Sequence, residues 1–339
     1  MSARLDQRWS YDDQPLIRLE NSHLSVCLVP SMGGKVFSLI DKAGDREALW
    51  RSPRVPLRPG PIGANVDDYF AGGWDEVFPT CDPCRNEHGD QLPYMGELWN
   101  LAMQARVLSA GPGLVEVELC AMTPITPARI TRTISLAAEE PILRIQTRIE
   151  NVGHLPFELC WGSHMALAIA PGMRLEVPAA GAEVTDPGAG LLGAAGARYR
   201  YPILDPDGPL RRDVREVPGP ELGAHALHAL TELRDGWAAA TDPASRRGVG
   251  LRFDQELHRC VWQWMSYGGH RGWYHAILEP WTAPQTSLAQ AREAGTALAI
   301  APGQALEGTV AAVLFSNVES VAAIGSDCSV TAAATGPER

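Results

Sequence analysis

The stretch Leu143–Ala166 reads LRIQTRIENVGHLPFELCWGSHMA and combines two patterns that recur along the chain. In its first part, Leu143–Glu150, apolar and polar residues alternate strictly, which is typical of a β-strand with one buried face. The turn residues Asn151–His154 follow, and the chain then enters a second apolar segment that delivers His164. Short strands joined by turns in this way predict an antiparallel sheet.

The same strand pattern appears on both sides of this stretch. It covers His23–Pro30, Lys35–Asp41 and Leu114–Leu119 upstream, and Cys260–Met265 and Gly308–Phe315 downstream. Only residues 287–293 have helical character, and that segment is short. A succession of strands without long helices predicts an all-β fold arranged as an antiparallel sandwich.

The domain organisation follows from length and composition. A chain of 339 residues is long enough for two domains, but all-β sandwiches of comparable size also form one. We expect a polar N-terminal extension over residues 1–16, a single sandwich domain over 17–320 and a loose C-terminal tail over 321–339. Hydrophobic residues make up 45% of the chain and charged residues 20%, which suits a large buried core.

Charge and hydropathy exclude several kinds of partner. The formal net charge is −11 without a local Lys/Arg cluster, so we expect no nucleic acid to bind. No apolar run approaches the roughly 20 residues that cross a bilayer, and the first residues lack the apolar middle of a signal peptide. We therefore expect no membrane partner and a cytoplasmic location. A homodimer is compatible with the sequence, which does not set the oligomeric state.

Seven cysteines, an odd number scattered along the chain, predict reduced thiols rather than a disulfide framework. Cys81 and Cys84 have the CxxC spacing, and His88 follows closely, so a zinc site is one interpretation of this segment. A structural zinc site needs four ligands, and the chain has no second pair of this kind. The tight turn at Asp82-Pro83 explains the spacing without a metal. We expect neither a metal nor a cofactor.

Two residues have side chains suited to proton transfer. His164 ends an apolar segment, and Glu279 stands immediately before Pro280 at the end of a later strand. A carboxylate with a pKa of about 4.3 accepts a proton at neutral pH, and an imidazole near 6.5 holds or releases one easily. Each also has an ordinary structural interpretation, as a hydrogen-bonded core histidine and as a strand-end carboxylate in a surface ion pair.

The motifs in their order along the chain resemble those of the galactose mutarotase-like, or aldose 1-epimerase, superfamily. They are Gly33-Gly34-Lys35, GGWDEVFP at 72–79, GELW at 96–99, WGSH at 161–164, LEPWT at 278–282 and APG at 301–303. The resemblance covers about residues 17–316. It implies a large antiparallel β-supersandwich with a sugar bound in a cleft on one concave sheet. It also implies an enzyme that interconverts the α and β anomers of an aldose or modified sugar by acid–base ring opening, with His164 as acid and Glu279 as base.

Further residues are candidates for binding the small-molecule carbohydrate. Asp75, Glu97, Gln263 and Tyr267 offer polar groups to sugar hydroxyls, and the indoles of Trp74, Trp161, Trp264 and Trp273 can stack on a sugar face. Lys35 can meet an anionic substituent. Because most of the ten tryptophans must belong to the core, we expect only one or two of these indoles to touch the ligand.

Two positions depart from the pattern of related sequences. Met95 occupies the place of a second active-site histidine, and Ser163 stands where related sequences often have histidine. Methionine cannot donate the strong hydrogen bond of an imidazole. A carbohydrate-binding protein with little or no catalysis is therefore the alternative function. A lyase or hydrolase on a related sandwich fits less well, because the chain has no long helical pattern. The sequence does not name the sugar or say whether it is phosphorylated.

Overall fold

The structure is a computed structural model that describes residues 2–188, 190–209 and 211–334. In chain order its strands are β1 (Arg4–Tyr11), β2 (Gln14–Glu20), β3 (Leu24–Val29), β4 (Lys35–Asp41), β5 (Arg46–Glu47), β6 (Trp74–Val77), β7 (Cys84–Arg85), β8 (Gln91–Leu92), β9 (Gln104–Ala110), β10 (Leu114–Met122), β11 (Ala128–Ala137), β12 (Ile142–Asn151), β13 (Phe157–Leu159), β14 (Gly162–Leu167), β15 (Arg174–Glu176), β16 (Gly181–Asp186), β17 (Arg198–Arg200), β18 (Ile203–Leu204), β19 (Arg212–Asp213), β20 (Ala224–Thr231), β21 (Trp237–Asp242), β22 (Arg247–Phe253), β23 (Cys260–Tyr267), β24 (Tyr274–Trp281), β25 (Leu298–Ile300), β26 (Ala305–Ser316), β27 (Val321–Ile324) and β28 (Val330–Ala332). The described residues also form the helix α1 (Leu288–Glu293) and 3₁₀ turns at Val66–Asp68 and Pro220–Leu222.

Two large sheets contain most of these strands. The first has twelve strands in the order β1-β2-β3-β4-β6-β14-β24-β23-β20-β16-β17, with β5 beside β4. The second has eight strands in the order β15-β21-β22-β26-β12-β11-β10-β9. Neighbouring strands run antiparallel, as in the pairs of β10 with β11 and of β23 with β24. The expected all-β class and the antiparallel β-supersandwich are confirmed.

The main core lies between the two sheets. The alternation predicted for β10 is confirmed, since Val115, Val117 and Leu119 are buried while Glu116 and Glu118 are partly exposed. From the other sheet, side chains such as Leu278 join the same cluster. Burying one such aliphatic side chain contributes about 1.5–3 kcal/mol. The inner face of the twelve-stranded sheet is thus committed to packing, which leaves its outer face available for a cleft.

The first residues of the chain belong to the twelve-stranded sheet. Arg4–Tyr11 form β1, the outermost strand, which pairs with β2. Most of its side chains are exposed, so it is held by backbone hydrogen bonds rather than by burial. The polar composition of residues 1–16 was interpreted as an extension, but it fits an exposed edge strand equally well. That residues 17–320 form one domain stays a prediction.

The C-terminal residues form a hairpin rather than the loose tail expected from residue 321. The hairpin consists of β27 and β28, and Val321 and Ile324 are buried beside Trp237 against the outer face of the eight-stranded sheet. The expectation is wrong for residues 321–334, because these apolar residues cover an indole that would otherwise be exposed. Residues 335–339 lie outside the described residues.

The short helical segment predicted over residues 287–293 is confirmed as α1, which begins at Leu288. Ser287 is its N-cap and forms a capping box with Gln290, in which each side chain bonds the backbone N–H of the other residue. Nowhere in the described parts of the chain is there a helix both long and apolar enough to cross a bilayer.

Candidate active site

A cavity of about 780 Å³ lies on the outer face of the twelve-stranded sheet. Its floor is formed by β14, β24, β23, β20 and β16, which are consecutive in the sheet. Because successive residues of a strand point to opposite faces, every second residue of β24, β23 and β20 lines the cavity, whereas β16 has an irregular register and contributes four consecutive residues, 183–186. The register thus places His164, Glu279, Trp262 and Ala229 side by side across four neighbouring strands.

His164 and Glu279 face each other across neighbouring strands. The register pairs Met165 with Leu278, which places the preceding His164 directly opposite Glu279. Directly opposed residues have Cβ atoms about 4.5–5.5 Å apart. Both side chains line the cavity, and the two residues are only 7% and 4% exposed. The structure therefore brings the two candidate proton-transfer residues together.

Burial dominates the electrostatics of this pair. It raises the pKa of Glu279 to about 8, because loss of hydration outweighs the hydrogen bond that Trp281 Nε1 donates to Oε2 at 2.9 Å. Burial also lowers the pKa of His164 to about 3, and the positive charge of Lys35 acts in the same direction. At neutral pH the pair carries one ionisable proton, and Glu279 holds it.

A second histidine, His275, lies on the same face of β24 four residues before Glu279, and sequence reasoning missed it. It lines the cavity, is 1% exposed and has no hydrogen-bond partner at either ring nitrogen among the described residues. Its ring centroid lies 4.4 Å from that of Trp50. Burial, and then the proximity of His164, lowers its pKa to about 3. Counting back from Glu279 in steps of two would have found His275.

Lys35 and Asp75 form a buried ion pair beside His164. Lys35 Nζ lies 3.0 Å from Asp75 Oδ2 and donates a hydrogen bond of 2.8 Å to the Gly72 carbonyl. The ammonium group is 5.4 Å from the centre of the Phe70 ring, and that ring is 5.5 Å from the imidazole of His164. Neither Lys35 nor Asp75 lines the cavity. Lys35 and Asp75 were expected to contact a sugar, but their charges pair with each other inside the protein instead.

The indoles of Trp74 and Trp161 belong to a polar network on the core side of the sheet. Trp74 Nε1 donates to Ser163 Oγ at 2.7 Å, and Ser163 donates to Glu76 at 2.9 Å. Trp161 Nε1 donates to the other oxygen of Glu76 at 2.5 Å. The guanidinium of Arg132 lies 3.5 Å from Glu76. Ser163 points away from the cavity because His164, its neighbour, points into it. The expected stacking of these two indoles on a sugar is corrected accordingly.

On β23 the alternation separates candidates that the sequence placed together. Trp262 and Trp264 face the cavity, whereas Gln263 faces the core and its Nε2 lies 3.4 Å from the Val214 carbonyl. Tyr267 lines a second cavity of about 380 Å³. Gln263 and Tyr267 were expected to bind sugar hydroxyls, but from these positions they do not reach a ligand in the main cavity. Of the four candidate stacking indoles, those of Trp264 and Trp273 line the main cavity.

The GELW segment lies next to the cavity, which Met95 lines, but its own residues do not line it. Glu97 accepts hydrogen bonds from the backbone N–H groups of Ile125 at 2.7 Å and Thr126 at 3.1 Å, so its carboxylate holds a neighbouring turn rather than a sugar. Met95 does line the cavity, in a left-handed backbone conformation with a φ of 60°. Its sulfur lies 3.6 Å from the Cys81 thiol. The residue that departs from the related pattern therefore faces the candidate site.

The CxxC segment shows separate contacts for each residue considered as a metal ligand. Cys84 Sγ is 3.6 Å from Thr80 Oγ1, and His88 Nε2 is 3.1 Å from the Pro156 carbonyl. Among the described residues there is no group of three or more His, Cys, Asp or Glu side chains placed to hold a metal ion.

The far half of the cavity, around Trp264, carries polar residues that sequence reasoning did not find. His270 Nε2 lies 3.1 Å from Asp67 Oδ2, and His225 Nε2 lies 3.9 Å from Asp186 Oδ2. These residues come from distant parts of the chain, so no local motif connects them.

Several solved structures share this architecture. Slr1438 from Synechocystis sp. PCC 6803 aligns with a TM-score of 0.68 at 18% identity, covering 92% of this chain and 99% of that one. A galactose mutarotase-like protein from Clostridium acetobutylicum gives 0.64 at 14% identity, covering 93% and 99%. A galactose mutarotase related enzyme from Lactobacillus acidophilus gives 0.61 at 13% identity, covering 89% and 97%.

The chain therefore has the galactose mutarotase-like fold, as the sequence motifs predicted. No protein-family model matches the sequence, and no curated protein matches it. At these identities the likeness establishes the fold, and the activity has to be argued from the site itself.

Proposed function

We propose that the protein is an aldose 1-epimerase-like enzyme that interconverts the α and β anomers of a sugar. The observation that carries the proposal is the position of His164 and Glu279, which are buried, lie opposite each other and line the same cavity. A sugar whose anomeric hydroxyl and ring oxygen lie between the two groups can exchange protons with both. Ring opening by this route needs only proton transfer, so the proposal includes no cofactor.

The reaction requires two coordinated proton transfers. One group removes the proton from the anomeric oxygen while another group protonates the ring oxygen. The bond between the anomeric carbon and the ring oxygen breaks, and its electron pair stays on the ring oxygen. The anomeric carbon and its former hydroxyl oxygen become an aldehyde. Rotation of this aldehyde by half a turn, followed by the reverse transfers, closes the ring as the other anomer.

The pKa values favour one position of the proton before the sugar reacts. The resemblance to relatives implies a protonated His164 and an ionised Glu279, whereas burial favours a neutral His164 and a protonated Glu279. Both arrangements contain one ionisable proton. Glu279 can therefore protonate the ring oxygen while His164 accepts the anomeric proton, and ring closure reverses these roles. Each positioned group contributes about 10²- to 10⁴-fold in rate.

The test is mutarotation of freshly dissolved sugars, followed by polarimetry or NMR across a sugar panel. Glu279→Gln keeps the shape of the side chain but cannot exchange the proton, so kcat should fall by about 10²- to 10⁴-fold. Glu118→Gln is the matched control, because Glu118 lies on β10 of the other sheet and pairs with Arg106 at 2.9 Å. Unchanged catalysis by the Glu279 variant would remove the mechanism.

Met95 supports a second candidate function, a carbohydrate-binding protein without efficient turnover. Its thioether lines the cavity and offers no proton to a sugar oxygen. Binding of a sugar without acceleration of its mutarotation would favour this function.

Three expectations from the sequence also stay proposals: a cytoplasmic location, a homodimer and a role in carbohydrate metabolism.

A further inference from the structure

The cavity is longer than one sugar ring. Four inter-strand steps separate β14 from β16, which at roughly 4.8 Å each corresponds to about 19 Å of floor. His164 lies at one end of this floor, and Glu183 and Thr185 lie at the other. A single pyranose held between His164 and Glu279 leaves the far half of the cavity unfilled.

Trp264 lies on β23, the middle strand of the floor, and is the aromatic platform where this far half begins. Its indole is partly exposed, whereas Trp262 on the same strand is 2% exposed and stacks on Trp281 with ring centroids 4.1 Å apart. The centroids of His225 and His270 lie 5.5 and 5.4 Å from that of Trp264. An indole face that remains accessible between two imidazoles suits the C–H face of a sugar ring.

Two carboxylate–histidine pairs supply hydrogen-bonding groups around this platform. The pairs are Asp67 with His270 at 3.1 Å and Asp186 with His225 at 3.9 Å. The hydrogen bond between Asp67 and His270 fixes which ring nitrogen of His270 carries the proton, whereas Asp186 and His225 at 3.9 Å are too far apart to bond and leave both groups free to meet a ligand. Hydroxyl groups, which both donate and accept, match this arrangement better than an apolar substituent does.

The charge of the cavity wall selects against anionic ligands. Among the described lining residues there is no lysine or arginine, while five carboxyl groups line the cavity: Asp67, Asp82, Glu183, Asp186 and Glu279. Two of these carboxyl groups are paired with arginines outside the lining, Asp67 with Arg271 at 3.5 Å and Glu183 with Arg198 at 2.9 Å, and Glu279 is protonated at neutral pH. A phosphate or carboxylate on the sugar would therefore find carboxyl groups but no unpaired lysine or arginine among the described lining residues. Neutral carbohydrate is the ligand class that fits.

We propose that the cavity binds a neutral reducing disaccharide or longer oligosaccharide, with the reducing-end ring between His164 and Glu279 and the next ring against Trp264. The identity of the reacting ring rests on the proposed function. The requirement for two sugar rings rests on the far half of the cavity alone, so the two parts can fail separately.

The kinetic test compares mutarotation of D-glucose, maltose, cellobiose and glucose 6-phosphate. We expect kcat/KM for at least one disaccharide to exceed that for glucose by tenfold or more. Trp264→Ala should reduce this ratio to about one. The matched control is Trp9→Ala, because Trp9 is 48% exposed on β1, at the opposite edge of the sheet. A ratio near or below one in the natural protein, or a preference for glucose 6-phosphate, overturns the proposal.

A binding measurement separates this proposal from the proposed function. Calorimetric titration of the Glu279→Gln variant with glucose and with the same disaccharides should show at least tenfold tighter binding of one disaccharide. Trp264→Phe keeps a ring and should retain part of that difference, and thermal unfolding checks that each variant is folded. If no sugar is turned over but the disaccharide preference persists, the two-ring site stands and the enzymatic proposal fails. Turnover of glucose without any disaccharide preference overturns the two-ring site and leaves the enzymatic proposal standing.

Discussion

The pH dependence of catalysis offers the sharpest test of the acid–base pair. The pair carries one ionisable proton between the pKa of His164, about 3, and that of Glu279, about 8. Only this form can give a proton to one sugar oxygen while it takes a proton from the other. The value of kcat/KM should therefore stay level through neutral pH and decline as Glu279 ionises.

The expected decline is large enough to distinguish the buried pair from an exposed one. With a pKa of about 8, kcat/KM at pH 8 is about twofold below its plateau, and at pH 9 about tenfold below it. If the two residues had their ordinary values of 4.5 and 6.5, the one-proton form would fade above pH 6.5, and the loss at pH 8 would already be about thirtyfold.

The assay is the initial rate of mutarotation from pH 5 to pH 10 at subsaturating sugar, with the uncatalysed rate subtracted at each pH. The apparent pKa values of the acid and alkaline limbs of this profile belong to the two coupled residues together and not to either residue alone. An alkaline limb centred near pH 6.5 would refute the inference that burial controls Glu279. A profile that stays level to pH 10 would show that the carboxyl is not part of the reaction.

Three further results are expected from substitutions. Glu279→Gln should raise the free energy of unfolding, measured in urea, by about 3 kcal/mol at pH 7 and leave it unchanged at pH 4. The reason is that the raised pKa of Glu279 makes the natural protein lose stability as the pH rises from 4.5 to 8. Equal effects at both pH values would contradict this. Arg132→Met should cost about 3–5 kcal/mol, because the buried carboxylate of Glu76 keeps its hydrogen bonds from Trp161 and Ser163 but loses its cationic partner. Adding Glu76→Gln should restore much of the loss, and a mild effect of the single variant would show that the ion pair is not essential. Met95→His adds a hydrogen-bond donor at the cavity, and histidine tolerates the left-handed backbone conformation of this position. The value of kcat/KM should therefore rise about two- to tenfold, whereas the control Met95→Leu should give no gain.

The sequence was informative where a strand has one buried face. In β10 the alternation of valine with glutamate correctly predicted both the strand and its buried side. In β14 and most of β24, by contrast, nearly every residue is buried, because the core covers one face and the cavity walls cover the other. Alternation then carries no information about which residue points where. The hydropathy pattern of β24 therefore did not single out His275, which only its even spacing from Glu279 places on the cavity face.

The indoles illustrate the same limit. Trp161 and Trp264 both lie in apolar, aromatic segments, and the sequence alone could not separate them. The first completes a network around Glu76 on the core side, and the second faces the cavity. Motif order located His164 and Glu279 because the resemblance fixed their positions directly. The pKa values of these residues depend on burial by loops distant in sequence, which no local pattern contains.

His275 has a consequence for which sugars the site distinguishes. Its two ring nitrogens are buried without partners among the described residues, and its Cα lies about 13 Å from that of Glu279 along β24. A buried polar group that only the right hydroxyl can satisfy penalises every ligand that lacks this hydroxyl. Epimers and deoxy sugars that differ far from the anomeric carbon should therefore be discriminated at His275, although the chemistry takes place elsewhere.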